Sequence, residues 1–492
     1  MGESTLKEKT SKGLFWGGMS SFLQQLFNAL FGIFLARVLS PDDYGLVGML
    51  TIFNMVVLLL QESGFVSALI NRKEIKHEDY NAVFWFSVLL STFCYVALFF
   101  LSPAIARYFH RPELISLARC SFLGFLIGSL AVAPGAYLSK KLMVKEKSLS
   151  MLLAVVVSGV IGVCMASKGY AYWSLVVQSL VNWFVLVVCY WYFSGWRPVF
   201  HFSLRPLREM AHYGSKLLLT GFMNILSGNI VSVILGRYFS AREVGFYTQA
   251  NKWGQMGSNF LTTMVNGVAQ PVLFEVSDSH ERQLRVFRKM IRFAAFVSFP
   301  SMLGLAFIAP EFISIAITDK WQDSVVLMQI LCVGFACAPV AAVCYNLLLS
   351  KGKANAYLWA SVLLSVLTIS AIVLLYPSGI QRMTMGVTAV NILALVVWVF
   401  LVRRTIGYSW GWALLDLLPF LALTLAGIGI ARLLVDQMVN KYWILAVKIL
   451  VVGAVYVLSL WVLRSEILRE SIDFFLHRRV SGFEENKKRE WL

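Results

Sequence analysis

Long apolar runs alternate with short polar segments from one end of this 492-residue chain to the other. Each run is long enough for a helix to cross the hydrocarbon core of a bilayer, which takes about 20 mostly apolar residues. We therefore predict an all-α polytopic membrane protein with about fourteen transmembrane helices. The predicted spans are residues 13–38, 43–69, 80–105, 114–138, 148–167, 171–193, 213–238, 243–273, 287–309, 324–349, 356–376, 384–402, 411–434 and 441–463.

The first half of the chain repeats in the second half at an offset of 200 residues. Residues 20–48 align with residues 220–248 without a gap. The identical pairs are Phe22/Phe222, Leu26/Leu226, Leu35/Leu235, Arg37/Arg237, Ser40/Ser240 and Gly45/Gly245. Many transporters are built from such repeats, with the substrate site where the repeats meet.

The repeat predicts two pseudosymmetric helix bundles around a central cavity. We divide the chain into an N-terminal bundle of six spans, a cytoplasmic linker, a C-terminal bundle of six spans, two additional spans and a cytoplasmic tail. Their boundaries are 1–193, 194–212, 213–402, 403–463 and 464–492.

Composition and charge agree with a membrane protein. Hydrophobic residues make up 58% of the chain and charged residues only 14%. In a soluble protein, roughly a quarter of the residues are charged. The net charge of +17 does not indicate nucleic acid as a partner, because the cations lie in short segments between spans. Segments rich in lysine and arginine alternate regularly with segments that have few, and this predicts that both termini are cytoplasmic.

No pattern in the sequence predicts catalysis, a cofactor or a metal site. The seven cysteines lie within apolar runs and the six histidines lie in loops. We find no glycine-rich phosphate loop, no Ser/His/Asp arrangement and no paired catalytic carboxylates. The sequence thus favours a carrier that is not an enzyme, and a single chain with two bundles needs no second copy to form a cavity.

The eighth predicted span carries a polar stripe. At 100° per residue its amides and one hydroxyl fall within an arc of about 80°, and Lys252 stands at the edge of that arc. The stripe consists of Asn251, Gln255, Asn259, Thr262 and Asn266. Such groups are costly in hydrocarbon and typically face a cavity, although amides also join membrane helices to each other.

The first and seventh spans have a similar design. Gln24 and Asn28 share one face of the first span with small residues, and Asn224 lies on a comparable face of the seventh. These faces are candidate cavity walls. A packing seam would need the glycines and serines but not the amides.

Three charged residues are candidates for a headgroup contact or a gate. Arg37 and Arg237 end their helices at equivalent positions, where favourable interaction with the helix dipole is the alternative explanation. Glu62 is an acid within the second span, and pairing with the nearby cations at the headgroups is its alternative role. Ser40 precedes Pro41 and two aspartates, which predicts a capped helix start.

A resemblance to a known family adds to this interpretation. Residues 35–45 read LARVLSPDDYG and residues 61–73 read QESGFVSALINRK. Over about residues 5–465 the chain resembles the polysaccharide-transporter family, the O-antigen and colanic-acid exporter type of flippase. This family belongs to the multidrug/oligosaccharidyl-lipid/polysaccharide exporter superfamily. The resemblance implies a central cavity lined largely by the first, second, seventh and eighth helices.

The resemblance also implies a function. The expected activity moves an undecaprenyl-pyrophosphate-linked oligosaccharide from the cytoplasmic to the outer leaflet of the bacterial inner membrane, for export of surface polysaccharide. Membrane lipids and the polymerase and glycosyltransferases of polysaccharide assembly are the expected partners. A cation-coupled multidrug exporter of the same superfamily is the first alternative, and a membrane glycosyltransferase or polymerase is the second.

Overall fold

The structure, a computed structural model, describes residues 3–62, 75–199, 230–276 and 279–463, with 222, 225, 465 and 467–469. Every regular element in these ranges is helical. The helices are α1 (Glu3–Val38), α2 (Pro41–Glu62), α3 (His77–Phe109), α4 (Leu114–Ser121), α5 (Leu123–Lys140), α6 (Val144–Ser167), α7 (Trp173–Ser194), α8 (230–238), α9 (Ala241–Glu275), α10 (His280–Phe312), α11 (Asp323–Phe335), α12 (Ala338–Ser350), α13 (Ala354–Leu375), α14 (Ile380–Ile406), α15 (Trp410–Val435) and α16 (Lys441–Val462). A π-helical turn over Ile313–Ile317 follows α10.

The predicted class, an all-α polytopic membrane protein, is confirmed. Twelve helices or helix pairs in the described ranges are long and apolar enough to cross a membrane. The other two of the fourteen predicted spans are the seventh, which lies mostly outside those ranges, and the eighth, which corresponds to α9. Polar side chains lower the hydropathy of α9, so that it is not among the twelve. The exact number of spans therefore stays a prediction.

The predicted helix start at Ser40 is confirmed, and its repeat-related counterpart is built in the same way. Asp43 N donates to Ser40 Oγ over 3.2 Å, and Ser40 N donates back to the Asp43 carboxylate over 2.8 Å. Ser240 and Glu243 form the same pair of bonds, with distances of 3.2 and 2.9 Å. Each reciprocal pair satisfies backbone donors that a helix start leaves open.

The chain divides into two compact units. The first consists of Met1–Gln249, Ala316–Ser324 and Ser361–Met383, and the second of Ala250–Ile315, Val325–Ala360 and Thr384–Leu492. Helix α9 thus begins in the first unit and continues in the second. The division into bundles drawn from the sequence repeat stays a prediction.

In the first unit, aromatic side chains fill the space between α3, α5 and the end of α7. Tyr80, Phe84 and Trp196 are buried in one cluster with small residues of α5. Val199 N donates to the Asn81 side chain over 2.9 Å, which fixes the segment after α7 against α3.

In the second unit, the last two helices pack against α10. Tyr456 of α16 donates its hydroxyl to Phe296 O over 2.8 Å. Lys448 of α16 forms an ion pair with Glu311 near the end of α10, with 2.8 Å between Nζ and Oε1. These contacts join α16, the last predicted span, to α10.

Candidate functional site

A polar cavity of about 370 Å³ lies within the second unit, beside α9. Its volume falls in the range of about 300–1,000 Å³ that is usual for small-molecule sites. Amides and hydroxyls on one face of α9 form one wall, and α11, α12 and α14 supply the others. The residues with polar side chains that line it, apart from one cysteine, are Gln255, Ser258, Asn259, Thr262, Tyr345 and Asn391. We call this cavity the polar pocket.

The two ends of the α9 stripe bond to neighbouring side chains. Gln255 donates to Asn251 Oδ1 over 3.2 Å, one turn away on the same helix. Asn266 Oδ1 accepts from Tyr345 over 3.1 Å and from Asn346 over 2.8 Å, and this bonds α9 to α12. The predicted stripe therefore has two roles, because Gln255, Asn259 and Thr262 line the pocket and Asn266 bonds α9 to α12.

Aromatic rings lie beside the pocket on the α12 side. The ring of Tyr345 is 5.8 Å from that of Tyr357 and 6.0 Å from that of Trp398, measured between centroids. Tyr345 thus presents a phenol that is held by a tilted and an edge-on ring contact and by its bond to Asn266. Such a residue offers both an apolar face and a polar tip to a ligand.

Lys252 is not among the residues that line the polar pocket. It is half-buried, and its ammonium lies 5.8 Å from the ring centroid of Trp253. The side chain therefore contacts an aromatic face on the same helix. The predicted place of Lys252 at the substrate cavity stays a prediction.

A second, apolar cavity of about 650 Å³ lies on another side of α9, between α10 and α16. Phe260 and Leu261 of α9 line it, together with Leu305 and Val457. Lys448 also reaches this cavity, where Glu311 neutralises it and Phe307 O accepts its third hydrogen bond over 3.2 Å. One helix thus presents polar side chains to one cavity and apolar side chains to another.

In the first unit, the starts of α2 and α9 meet at two repeat-related glycines. A Cβ atom on Gly45 would lie 1.8 Å from Ala241 O, and one on Gly245 would lie 1.9 Å from Pro41 O. Both distances are far below any real contact, so each position requires glycine. We call this crossing, with Arg37 and Arg237, the repeat junction.

Arg37 and Arg237 also make reciprocal contacts at the repeat junction. Arg37 Nε donates to Ala316 O over 2.7 Å, just after α10, and Arg237 donates to Tyr108 O at the end of α3 and contacts His110. Helices α3 and α10 are the third and ninth predicted spans, so each arginine binds the end of a helix from the other repeat. Holding helix ends in place is thus one role of both arginines, in addition to their predicted role in a gate.

Trp321 fills the space beside the repeat junction. Its indole is fully buried, donates to Ala36 O over 2.8 Å, and lies edge-on to Tyr44 and Phe246. Lys320 donates to Arg37 O over 2.8 Å. Burial lowers the pKa of Lys320, and nearby Asp43 offsets part of this change.

The remaining predicted site residues are placed as follows. Gln24 donates to Ser20 on its own helix over 2.8 Å, and Asn28 is exposed. Both belong to the first unit. Asn224 and the side chain of Glu62 lie outside the described residues.

Several polar residues that matter here were missed in the sequence. Asn391 lies in the middle of a predicted span, and Asp416 and Lys448 also lie within predicted spans, which is a visible signal of a buried role. Tyr345 could not be distinguished from other tyrosines near span ends, because only the fold brings it to α9.

Comparisons with known proteins agree with this architecture. The model of a family described as "Polysaccharide biosynthesis protein" matches residues 34–326. An uncharacterized membrane protein in the cps region of Klebsiella pneumoniae is 24% identical over 96% of this chain and 98% of its own length. The lipopolysaccharide biosynthesis protein WzxC of Escherichia coli K12 is 26% identical over 85% of this chain and 86% of its own.

A solved structure shows a similar fold. The lipid II flippase MurJ, in an inward closed conformation, superposes with a TM-score of 0.77 at 13% sequence identity. The superposition covers 92% of this chain and 99% of that chain.

Proposed function

The chain belongs to the polysaccharide biosynthesis protein family, and on this premise we propose that it is a flippase for a lipid-linked oligosaccharide. In this proposal it moves an undecaprenyl-pyrophosphate-linked repeat unit from the cytoplasmic to the outer leaflet of the bacterial inner membrane. The movement uses alternating access. The function is transport for surface polysaccharide export and involves no catalysis.

The polar pocket is the observation that carries this proposal. Its side-chain amides and hydroxyls each donate or accept hydrogen bonds without a net charge, as sugar hydroxyls do. Tyr345 adds an aromatic face for the apolar side of a sugar ring. Amides within a membrane span are costly unless a cavity or partner satisfies them, so a polar cargo explains their presence.

The apolar cavity on the other side of α9 supports a lipid carrier. Its lining is almost entirely aliphatic and aromatic, and its one ammonium is paired with Glu311. An isoprenoid chain suits such a surface because it has no polar group to satisfy. An amphiphile with a sugar head and a prenyl tail matches both sides of α9.

The charge of the polar pocket bears on the first alternative, a cation-coupled drug exporter. Such a carrier requires a carboxylate to bind the cation and a cationic drug. The residues that line the polar pocket include no carboxylate. A neutral or anionic cargo is therefore favoured over a cationic one.

The repeat junction supports alternating access. Close crossing of two helices at matched glycines makes a discrete contact that either forms or breaks. We propose that the repeat junction is a gate, with Arg37 and Arg237 fixing the helix ends around it. Opening and closing of this contact would supply the two states that alternating access requires.

The experiment deletes the gene in its host and complements it with wild type, Asn391→Leu or Asn355→Leu. Asn391 lines the polar pocket, whereas Asn355 is exposed on α13 and is the matched control. We expect deletion to abolish polymer and to accumulate complete lipid-linked repeat units facing the cytoplasm. Asn355→Leu should restore export and Asn391→Leu should not, at equal amounts of folded protein.

Two outcomes would contradict the proposal. Incomplete repeat units in the deletion strain would indicate an enzyme of polysaccharide assembly. Unchanged polysaccharide together with new sensitivity to cationic drugs would indicate the exporter.

A further inference from the structure

A buried carboxylate on α15 holds two arginines of α10 side by side. Asp416 is fully buried and accepts from Arg288 Nε over 2.9 Å and from Arg288 Nη2 over 3.0 Å. Arg292 Nε donates to the same carboxylate over 2.5 Å, and the Tyr408 hydroxyl donates over 3.1 Å. The guanidinium of Arg288 also lies 5.0 Å from the ring centroid of Trp412. We call these residues the arginine cluster.

The arginine cluster carries an unbalanced positive charge. Two guanidinium ions face one carboxylate, and Tyr408 contributes none, because burial and the adjacent carboxylate raise the pKa of its phenol. Arg292 reaches Asp416 through Nε. Its side chain is 36% exposed, compared with 0% for Asp416.

More cations extend the arginine cluster along the first turns of α10. Arg285, Arg288, Lys289 and Arg292 fall within an arc of about 100°. Arg285 and Lys289 are exposed. The only acid in the first turn is Glu281. This end of α10 is the one that the alternation of cations predicts to be cytoplasmic.

We propose that the arginine cluster and Arg285 bind the phosphate of an anionic membrane lipid at the cytoplasmic surface. The arrangement suits phosphate, because a guanidinium offers a planar fork of donors that matches phosphate oxygens. The cost of ordering two long side chains is already met, since Asp416 and Trp412 hold Arg288 and Asp416 holds Arg292. Basic pockets between helices on this side of a membrane are suited to lipid headgroups.

The phosphate has two possible sources, a bulk phospholipid headgroup or the diphosphate of a lipid-linked cargo. The second source rests on the proposed function, whereas the first does not. Binding measured with purified protein is independent of export measured in cells. A negative result in one measurement therefore does not decide the proposal that the other measurement tests.

The experiment measures binding of phosphatidylglycerol to purified full-length protein, by titration into nanodiscs of phosphatidylcholine. The variants are Arg292→Gln within the arginine cluster and Arg285→Gln beside it. The matched control is Arg403→Gln, an exposed cation in the last turn of α14 that is also predicted to be cytoplasmic. Arg285→Gln leaves Asp416 fully paired, so it tests the site even if Arg292→Gln folds poorly.

We expect Arg292→Gln and Arg285→Gln each to weaken phosphatidylglycerol binding about fivefold, since one cation near the surface contributes about 1 kcal/mol. Arg403→Gln should remain within about twofold of wild type. Equal losses in all three variants, or no loss in the first two, would overturn the proposal. Added undecaprenyl diphosphate that displaces phosphatidylglycerol at equal concentration assigns the site to the cargo headgroup, and failure to displace it assigns the site to bulk phospholipid.

Discussion

The repeat junction and the polar pocket use the internal repeat in opposite ways. At the repeat junction, the residues that make contact are the same in both halves: Gly45 and Gly245 approach reciprocal carbonyls, and Arg37 and Arg237 bind reciprocal helix ends. In the polar pocket they differ, since Asn259 lies at the same repeat position as Leu59.

This difference indicates that the repeat junction is a symmetric helix contact and the polar pocket is a site for an asymmetric cargo. A crossing of two helices around a pseudo-twofold axis is best made by identical residues, because each half must meet the same surface. A site for an asymmetric cargo has no such requirement. The second copy of the helix can therefore acquire amides while the first keeps apolar side chains that pack in the membrane.

The largest effect is expected from breaking the symmetric contact. Gly45→Ala or Gly245→Ala places a methyl group less than 2 Å from a backbone oxygen that no rotamer change can move. We expect a loss of about 3 kcal/mol or more of stability, and with it the loss of folded protein and of transport. Thermal melting of purified protein, together with export in complemented cells, measures both.

Gly267 supplies the control for this prediction. It lies in the same helix as Gly245, and a Cβ there would meet nothing within 4 Å. Gly267→Ala should keep or slightly raise the melting temperature, because alanine favours a helix by about 0.5–1 kcal/mol. If Gly45→Ala behaves like Gly267→Ala, the close crossing of α2 and α9 does not exist in solution.

A smaller effect, on transport alone, is expected when the polar pocket is made to match its repeat counterpart. Gln255→Met with Asn259→Leu gives α9 the side chains found at positions 55 and 59 of α2. We expect export to fall about tenfold or more, because hydrogen bonds to the sugar are lost and each amide removed contributes about 1 kcal/mol or somewhat more. The melting temperature should not fall, since apolar groups replace polar ones within a membrane.

The reciprocal change sharpens the test. Met55→Gln with Leu59→Asn introduces the same amides into α2 and leaves the polar pocket intact. This variant should export normally if it folds. Equal loss of export in both double variants would mean that helix packing, and not the pocket, explains the first result.

The spans were predictable and the pocket only partly so, for a physical reason. Burial in a bilayer imposes a local pattern, and predicted span 441–463 coincides with Lys441–Val462 to within one residue. The α9 stripe was visible because its members share one face of one helix. Asn391 and Tyr345 join that stripe from other helices, and no local pattern encodes which helices meet.

The repeat junction shows the same limit in another form. The matched glycines at positions 45 and 245 revealed the repeat in the sequence, but their separation from a facing carbonyl could be seen only in the fold. Asp416 differs from these glycines, because an acidic residue within a predicted span indicates a buried partner even in the sequence alone.

The smallest effect is expected from the two arginines of the repeat junction. Arg37→Ala and Arg237→Ala each remove a charged donor from one helix-end carbonyl, which we expect to cost about 1 kcal/mol and to lower the melting temperature by roughly 2 °C. The two losses should be similar, and the double variant should show their sum, because the contacts share no partner. Lys168→Ala, at an exposed loop position, should change neither melting nor export. If one arginine variant matches wild type while the other loses several degrees, the two contacts are not equivalent, and only the glycine crossing would support a symmetric gate.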